Sequence, residues 1–180
     1  MKNIHALIII FVLWMVTSCE TRIPEVDTTP PTFSFEIRGD GLSHTFTQDD
    51  DFSRMQLNLR SNTEYRFTYS GADQGGVSKI QWQLGGDDQI HFTRPEFPFD
   101  SWIIRDLPPI SRMIEWTGNR SNPRTGGVIT GIFRTGNFQS NSGTWRFFIR
   151  DFGGQSGTSN DVRGNLNILI VESETELILF

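Results

Sequence analysis

Residues 144–156 read TWRFFIRDFGGQS, and the predicted fold rests on this segment. Trp145, Phe147 and Ile149 alternate with two arginines and another phenylalanine, which is the period of a strand with one buried face. The Asp-x-Gly-Gly that follows predicts a turn, because glycine adopts backbone angles that other residues avoid. Residues 65–78, YRFTYSGADQGGVS, repeat this pattern of an aromatic strand and an Asp-x-Gly-Gly turn. We expect the two segments to form the centre of a β-sandwich.

Short runs with the same alternation recur along the chain at intervals of about 10–15 residues, separated by turns rich in Gly, Asn, Asp and Pro. No segment shows a helical period with capping residues, although a short helical turn can form at residues 50–55 or 99–105. This spacing is typical of an antiparallel sandwich or barrel, so we predict an all-β fold. The further predicted strands lie near residues 33–37, 55–59, 80–84, 90–92, 110–116, 128–133 and 166–170.

The order of these strands resembles an immunoglobulin-like domain. The resemblance lies in Tyr-x-Phe-x-Tyr at residues 65–69, in D-x-G-G-V-S-x-I-x-W ending at Trp82, and in W-x-F-x-I-x-D-x-G-G from residue 145. It implies that the strands at 65–69 and 145–149 face each other across the core, with Trp82 packed between them.

The chain departs from that family in two features. The inter-sheet disulfide is absent, since Cys19 is the single cysteine, and Phe67 and Phe147 are candidates to fill its place by aromatic burial. Residues 85–143 are long for the fourth and fifth strands alone. We therefore predict an antiparallel immunoglobulin-like sandwich over residues 32–180, with an enlarged middle insertion that carries extra strands or a binding loop.

The N-terminus resembles a bacterial lipoprotein signal peptide. Lys2 supplies a positive charge, and residues 6–16, ALIIIFVLWMV, form an apolar run too short to span a bilayer comfortably. The run ends in Val-Thr-Ser before Cys19, which resembles the lipobox whose cysteine is acylated on sulfur and becomes the new N-terminus. The alternatives are an ordinary secretory signal with an incidental cysteine, or a membrane anchor. We expect a signal peptide over residues 1–18 and lipidation at Cys19.

Residues 19–31 are polar and charged and end in two prolines, so they predict a flexible tether between the lipid and the folded domain. Glu20 follows the cysteine, where an Asp would resemble an inner-membrane retention signal. We therefore expect a lipid anchor in the outer membrane, with the domain on either its periplasmic or its exterior face.

The chemistry-bearing residues form no recognisable catalytic or metal site. The chain has no Cys-x-x-Cys, His-Glu-x-x-His or Gly-x-Ser-x-Gly. Residues 49–51 and Asp40 could supply oxygen ligands for calcium, but three consecutive carboxylates cannot all point at one ion, and solvated loop acids are the simpler interpretation. A net charge of −5 disfavours a nucleic-acid partner. We predict no enzyme activity, no cofactor and no metal.

Aromatic residues are the best functional lead, because 15 Phe, two Tyr and five Trp exceed what a small core requires. Trp102 and Trp116 lie in the insertion near several arginines, and we name them as candidate ligand-binding residues. An exposed Trp beside charged groups could stack on a sugar ring or anchor a protein partner, whereas a buried pair would pack under its own loops.

Two classes of function follow from this composition. The first is a non-catalytic binding or adhesion module for a glycan or protein partner. The alternative is a structural subunit of a cell-envelope or secretion complex. An exposed aromatic platform favours a glycan, while an apolar patch or a bare edge strand favours a protein.

Overall fold

The computed structural model describes residues 21–85, 90–96, 102–107, 111–137, 142–155 and 157–180. The predicted signal peptide and Cys19 lie outside these residues. The described part contains one short 3-10 helix, Phe52–Arg54, and twelve strands. The strands are β1 (Thr32–Gly39), β2 (Leu42–Thr47), β3 (Met55–Arg60), β4 (Glu64–Ala72), β5 (Val77–Gly85), β6 (Ile90–Glu96), β7 (Trp102–Leu107), β8 (Ser111–Thr117), β9 (Gly126–Thr135), β10 (Ser142–Asp151), β11 (Asp161–Val171) and β12 (Glu176–Leu179).

The strands form two sheets that pack face to face. The five-stranded sheet has the order β2-β1-β4-β9-β6, and the seven-stranded sheet has the order β12-β3-β11-β10-β5-β8-β7. The predicted all-β, immunoglobulin-like sandwich is confirmed. Its purely antiparallel character is corrected at one place, because β3 and β11 run parallel. These two strands are far apart in the chain, so no hairpin forces them to run in opposite directions.

An aromatic core joins the centres of the two sheets. Trp82 of β5 is fully buried, and its ring centroid lies 5.0 Å from that of Phe67 on β4 and 6.4 Å from that of Phe147 on β10. Phe35 of β1 lies 6.3 Å from Phe67 and 4.9 Å from Phe147. The packing of Trp82 between the two central strands is therefore confirmed. A shared aromatic cluster occupies the space that a disulfide would fill.

The structure changes the prediction for three short segments. Residues 102–107 form β7, paired with β8, so the helical turn considered at 99–105 is wrong where the chain is described. The turn considered at 50–55 is present as the 3-10 helix, where Asp51 accepts a hydrogen bond from the Ser53 amide at 3.2 Å. The sequence pattern does not predict strand β2, because its solvated side carries polar residues and its apolar alternation is weak.

Among the residues that the structure describes, no helix has the length and apolar character needed to span a bilayer.

The middle insertion, residues 85–143, supplies strands to both sheets. Strands β8 and β7 extend the seven-stranded sheet beyond β5, while β9 and β6 extend the five-stranded sheet beyond β4. The insertion therefore widens the sandwich on one side.

Part of the predicted tether lies against the domain. The backbone N–H of Gln155 donates to the carbonyl oxygen of Pro24 at 2.9 Å. The side-chain Nδ2 of Asn160 donates to the carbonyl oxygen of Asp27 at 3.1 Å. These contacts place Pro24 and Asp27 within the folded unit, although both fall in the range 19–31. The flexibility predicted for the other residues of that range stays a prediction.

Candidate functional site

Trp102 and Trp116, the candidate ligand-binding residues, lie directly opposite each other on β7 and β8. Their side chains are only 6% and 2% exposed. The backbone of Gly127, on the opposite sheet, approaches the Trp116 ring closely. Of the two interpretations of this pair, burial is the one observed, because both indoles point into the sandwich and offer no free face for a sugar.

Three carboxylates from distant parts of the chain meet where the β4–β5 and β10–β11 turns join. Asp73 and Asp151 belong to the two Asp-x-Gly-Gly turns, and Asp27 belongs to the N-terminal segment. One oxygen of each lies within 4.8 Å of the others. The shared motif marks two of these acids in the sequence, but their convergence and the position of Asp27 depend on the folded turns.

Hydrogen bonds hold these carboxylates in place. Asp73 Oδ1 accepts from the Gly75 amide at 2.7 Å, and the two oxygens of Asp151 accept from the backbone amide and the side chain of Asn160, both at 2.7 Å. Burial, and after it the negative charge of Asp27, raises the pKa of Asp73 to about 6. Asp73 therefore binds a proton more tightly in the folded protein than an ordinary aspartate does.

This carboxylate cluster has the donor atoms to hold a proton or a hard cation. Calcium takes roughly six to eight oxygen ligands, whereas the cluster offers three carboxylates that already accept protein hydrogen bonds. Beside it opens a cleft of about 570 Å³, lined in part by Pro24, Thr29 and Thr125. The hydrogen bonds account for the carboxylate positions, so we assign the cluster a structural role in joining the N-terminal segment to the two turns.

The outer surface of the seven-stranded sheet carries a second group of polar side chains. Alternate residues of β5, β7, β8, β10 and β11 point away from the core, and their registers place them in rows across the strands. We call this surface the cationic face. Its charged residues are Lys79, Arg105, Arg146, Arg150 and Arg163, together with the carboxylates Glu115 and Asp161. The face is positive although the whole chain has a net charge of −5.

Glu115 is a buried carboxylate within the cationic face, with 6% of its surface exposed. Its Oε2 lies 3.3 Å from Nζ of Lys79, and its Oε1 lies 3.6 Å from a guanidinium nitrogen of Arg105. The side-chain amide of Gln81 also donates a hydrogen bond to Glu115. Pairing of this kind offsets the cost of burying a charge, and it ties β5, β7 and β8 together.

Phe148 lies at the centre of the cationic face. The guanidinium carbons of Arg150 and Arg163 lie 5.0 and 5.2 Å from its ring centroid. Both arginines also pair with Asp161 at 3.3 Å, and the hydrogen bond from Arg163 lowers the pKa of the Asp161 carboxyl. Arg146, two positions before Phe148 on β10, is exposed, and no described carboxylate lies within ion-pair distance of it.

A shallow cleft of about 570 Å³ lies over this face, with Gln81, Gln83, Arg146, Phe148, Arg163 and Asn165 in its lining. The amides can both donate and accept hydrogen bonds, whereas the guanidiniums only donate. The cleft therefore suits a polar ligand that carries acceptor groups. The alternation of polar residues on β10 is visible in the sequence, but their lateral neighbours are decided by the strand order.

Comparison with known proteins adds structural likenesses only. No family model matches the chain, and no curated protein matches it in sequence.

Three of the similar solved structures are a cohesin, a cohesin module and a pilus backbone protein. A non-cellulosomal cohesin from Archaeoglobus fulgidus is 12% identical with a TM-score of 0.35, over 64% of this chain and 91% of that one. A cohesin module of a family 33 glycoside hydrolase from Clostridium perfringens is 6% identical with a TM-score of 0.36, over 66% of this chain and 97% of that one. The pilus backbone protein of Streptococcus pneumoniae is 10% identical with a TM-score of 0.39, over 84% of this chain and 48% of that one. These values leave the family of this chain open.

Proposed function

We propose that this protein is a non-catalytic interaction module, held on the outer membrane by a lipid on Cys19, whose cationic face binds a protein partner. The observation that carries the proposal is the exposed cleft across the central strands of the seven-stranded sheet, where guanidiniums and amides surround Phe148. The lipid anchor is supported by the lipobox-like sequence that ends in Cys19.

A protein partner accounts for this surface better than a glycan does. Flat carbohydrate sites use aromatic rings with a free face, but Trp102 and Trp116 are buried. The ring of Phe148 is already contacted by two guanidiniums. What the cleft offers is a set of hydrogen-bonding groups beside a partly apolar centre, which is the composition of many protein interfaces.

Docking through a sheet edge is the second candidate, and it corresponds to a structural subunit of an envelope complex. Strands β7 and β12 form the two edges of the seven-stranded sheet. Ile103 and Ile104 on β7 and Leu179 on β12 are exposed apolar side chains. An edge with exposed apolar residues can pair with a strand of another chain.

Photo-crosslinking in intact cells tests the proposal. A benzophenone amino acid placed at Gln83, inside the cleft, should give a discrete crosslinked protein product. The same group at Thr68, on the outer surface of the five-stranded sheet, is the matched control and should give none. Crosslinked products from Thr68 and not from Gln83 would contradict the proposal. With the same group placed at Leu179, products from that position alone would favour docking through the β12 edge.

A further inference from the structure

We propose that the occupant of the cationic face is an acidic segment of a polypeptide, with Arg146 and Arg163 contacting its carboxylates. This inference rests on the proposed function and gives the partner its chemistry. It starts from the imbalance of charge on β5, β7, β8, β10 and β11, where five basic side chains face outward together with two carboxylates. An uncompensated group of cations attracts an oppositely charged partner and fixes its orientation.

The internal ion pairs do not use up the positive charge. Glu115 is shared between Lys79 and Arg105, and Asp161 is shared between Arg150 and Arg163. Each carboxylate thus balances one charge of the two beside it.

Arg146 adds a further charge that no described carboxylate balances. It lies between Gln83 and Asn165 in the register of β5, β10 and β11. The guanidiniums of Arg146 and Arg163 both line the cleft, so the excess charge lies where a ligand would bind.

The donor geometry favours carboxylates on a peptide over other anions. A guanidinium presents two parallel N–H groups that match a carboxylate, so arginine is well suited to this contact. Gln81, Gln83 and Asn165 stand beside the arginines and can donate to and accept from a peptide backbone. An acidic sugar would find the Phe148 ring already contacted by two guanidiniums. The shallow cleft also suits an extended segment better than a lipid surface.

A direct binding measurement tests this inference on the full-length protein in detergent. The probe is a fluorescent peptide of alternating Glu and Ser, with an otherwise identical Gln-Ser peptide as its neutral counterpart. We expect the acidic peptide to bind, the neutral peptide to bind at least about tenfold more weakly, and the affinity to fall as salt is raised from low to physiological concentration.

Matched double variants identify the surface. Arg146→Gln with Arg163→Gln should weaken binding of the acidic peptide at least about tenfold. Arg66→Gln with Arg134→Gln removes the same charge from exposed positions on the five-stranded sheet and should leave binding unchanged. Circular dichroism checks that both double variants remain folded.

Three results would overturn the inference. They are equal affinity for the acidic and neutral peptides, equal loss of affinity in both double variants, and tighter binding to polygalacturonate or to phosphatidylglycerol vesicles than to the acidic peptide. If one of these occurred while Gln83 still crosslinked to a protein, the proposed function would stand and only the acidic character of the partner would be wrong. If crosslinking at Gln83 also failed, both proposals would fall.

Discussion

Asp73 is a carboxylate whose surroundings differ from those of an ordinary surface aspartate. It is 8% exposed, and the carboxylates of Asp27 and Asp151 lie close to it. Both burial and these negative neighbours favour its protonated form, which raises its pKa from 3.8 to about 6. The folded protein therefore binds a proton here more tightly than the unfolded chain does.

The pH dependence of stability follows from this difference. Between pH 4 and pH 6, taken from these two pKa values, the folded state binds more protons at Asp73 than the unfolded state. The contribution of this residue to the free energy of unfolding is therefore largest below about pH 4 and falls as the pH rises toward about 6. The pKa values of Asp40 and Asp161 are lowered in the folded protein. The contributions of these two residues to the free energy of unfolding are therefore lost as the pH falls to more acidic values.

Asp73→Asn should stabilise the protein at neutral pH, because the amide keeps an acceptor for the Gly75 amide and carries no charge. We expect a gain of about 1–3 kcal/mol at pH 7, with each kcal/mol raising Tm by about 2–4 °C. The gain should shrink as the pH is lowered toward 4. Thermal unfolding with EDTA present measures both effects.

The matched control is Asp49→Asn, which makes the same change at an exposed position in the turn after β2. It should shift Tm little and equally at both pH values. A fall in Tm for Asp73→Asn at pH 7, with or without added calcium, would show that the carboxylate stabilises the cluster and would contradict the prediction.

At the scale of elements, the two Asp-x-Gly-Gly turns act as one joint between β4–β5 and β10–β11. The Phe152 amide donates to the Gly76 carbonyl oxygen at 3.1 Å. Arg120 adds hydrogen bonds from its guanidinium to the carbonyl oxygens of Phe152 at 3.1 Å and Gly154 at 2.5 Å. The similarity of the two sequence segments therefore corresponds to a physical contact between their turns.

Gly153 is the part of this joint that tolerates substitution least. Its φ of 68° lies in the left-handed region, and a Cβ placed there would lie 2.4 Å from the Thr158 carbonyl oxygen. Gly153→Ala combines backbone strain with a clash against the main chain, so we expect a loss of about 2–4 kcal/mol in the free energy of unfolding. Urea denaturation measures this loss.

Gly41→Ala separates the two contributions. Gly41 has a φ of 80°, but a Cβ there meets nothing within 4 Å. This variant should lose only the cost of the backbone angle, about 1–2 kcal/mol. Equal losses in the two variants would show that the turn after β10 relaxes and that the clash is not decisive.

At the scale of the whole molecule, the proposal depends on a lipid anchor followed by an interaction domain. Cys19 is the single cysteine, and it follows an apolar run and three small or β-branched residues. We expect the mature protein to begin at Cys19 and to carry a diacylglyceryl group on its sulfur. Mass spectrometry of the N-terminal peptide from isolated membranes measures both features.

Variants on either side of the cleavage point complete this test. Cys19→Ala should abolish lipid labelling and leave the precursor uncleaved, whereas Ser18→Ala keeps a small residue before the cysteine and should be processed normally. A mature N-terminus elsewhere, or an unmodified Cys19 in the membrane fraction, would rule out the lipoprotein assignment.

Features of this protein that depend on local pattern can be predicted from its amino-acid sequence. Side-chain period and backbone preference over a few residues set the alternation around Trp145, the glycine turns and the strand that contains Trp82. The resemblance to an immunoglobulin-like domain placed Trp82 in the core, and it made Phe67 and Phe147 candidates to fill the place of the missing disulfide. The patterns were weaker for β2 and for β7, where the apolar alternation is short.

Which of these residues meet depends on the folded arrangement of the strands. Trp102 and Trp116 are residues of a type often found in binding sites. The pairing of β7 with β8 directs both side chains into the core. The cluster of Asp27, Asp73 and Asp151 requires two turns and the N-terminal segment to meet. The cationic face requires β7, β8, β5, β10 and β11 to lie side by side. Such contacts depend on strand order and on the side of the sheet that faces the core, and the periodicity of a single strand contains neither.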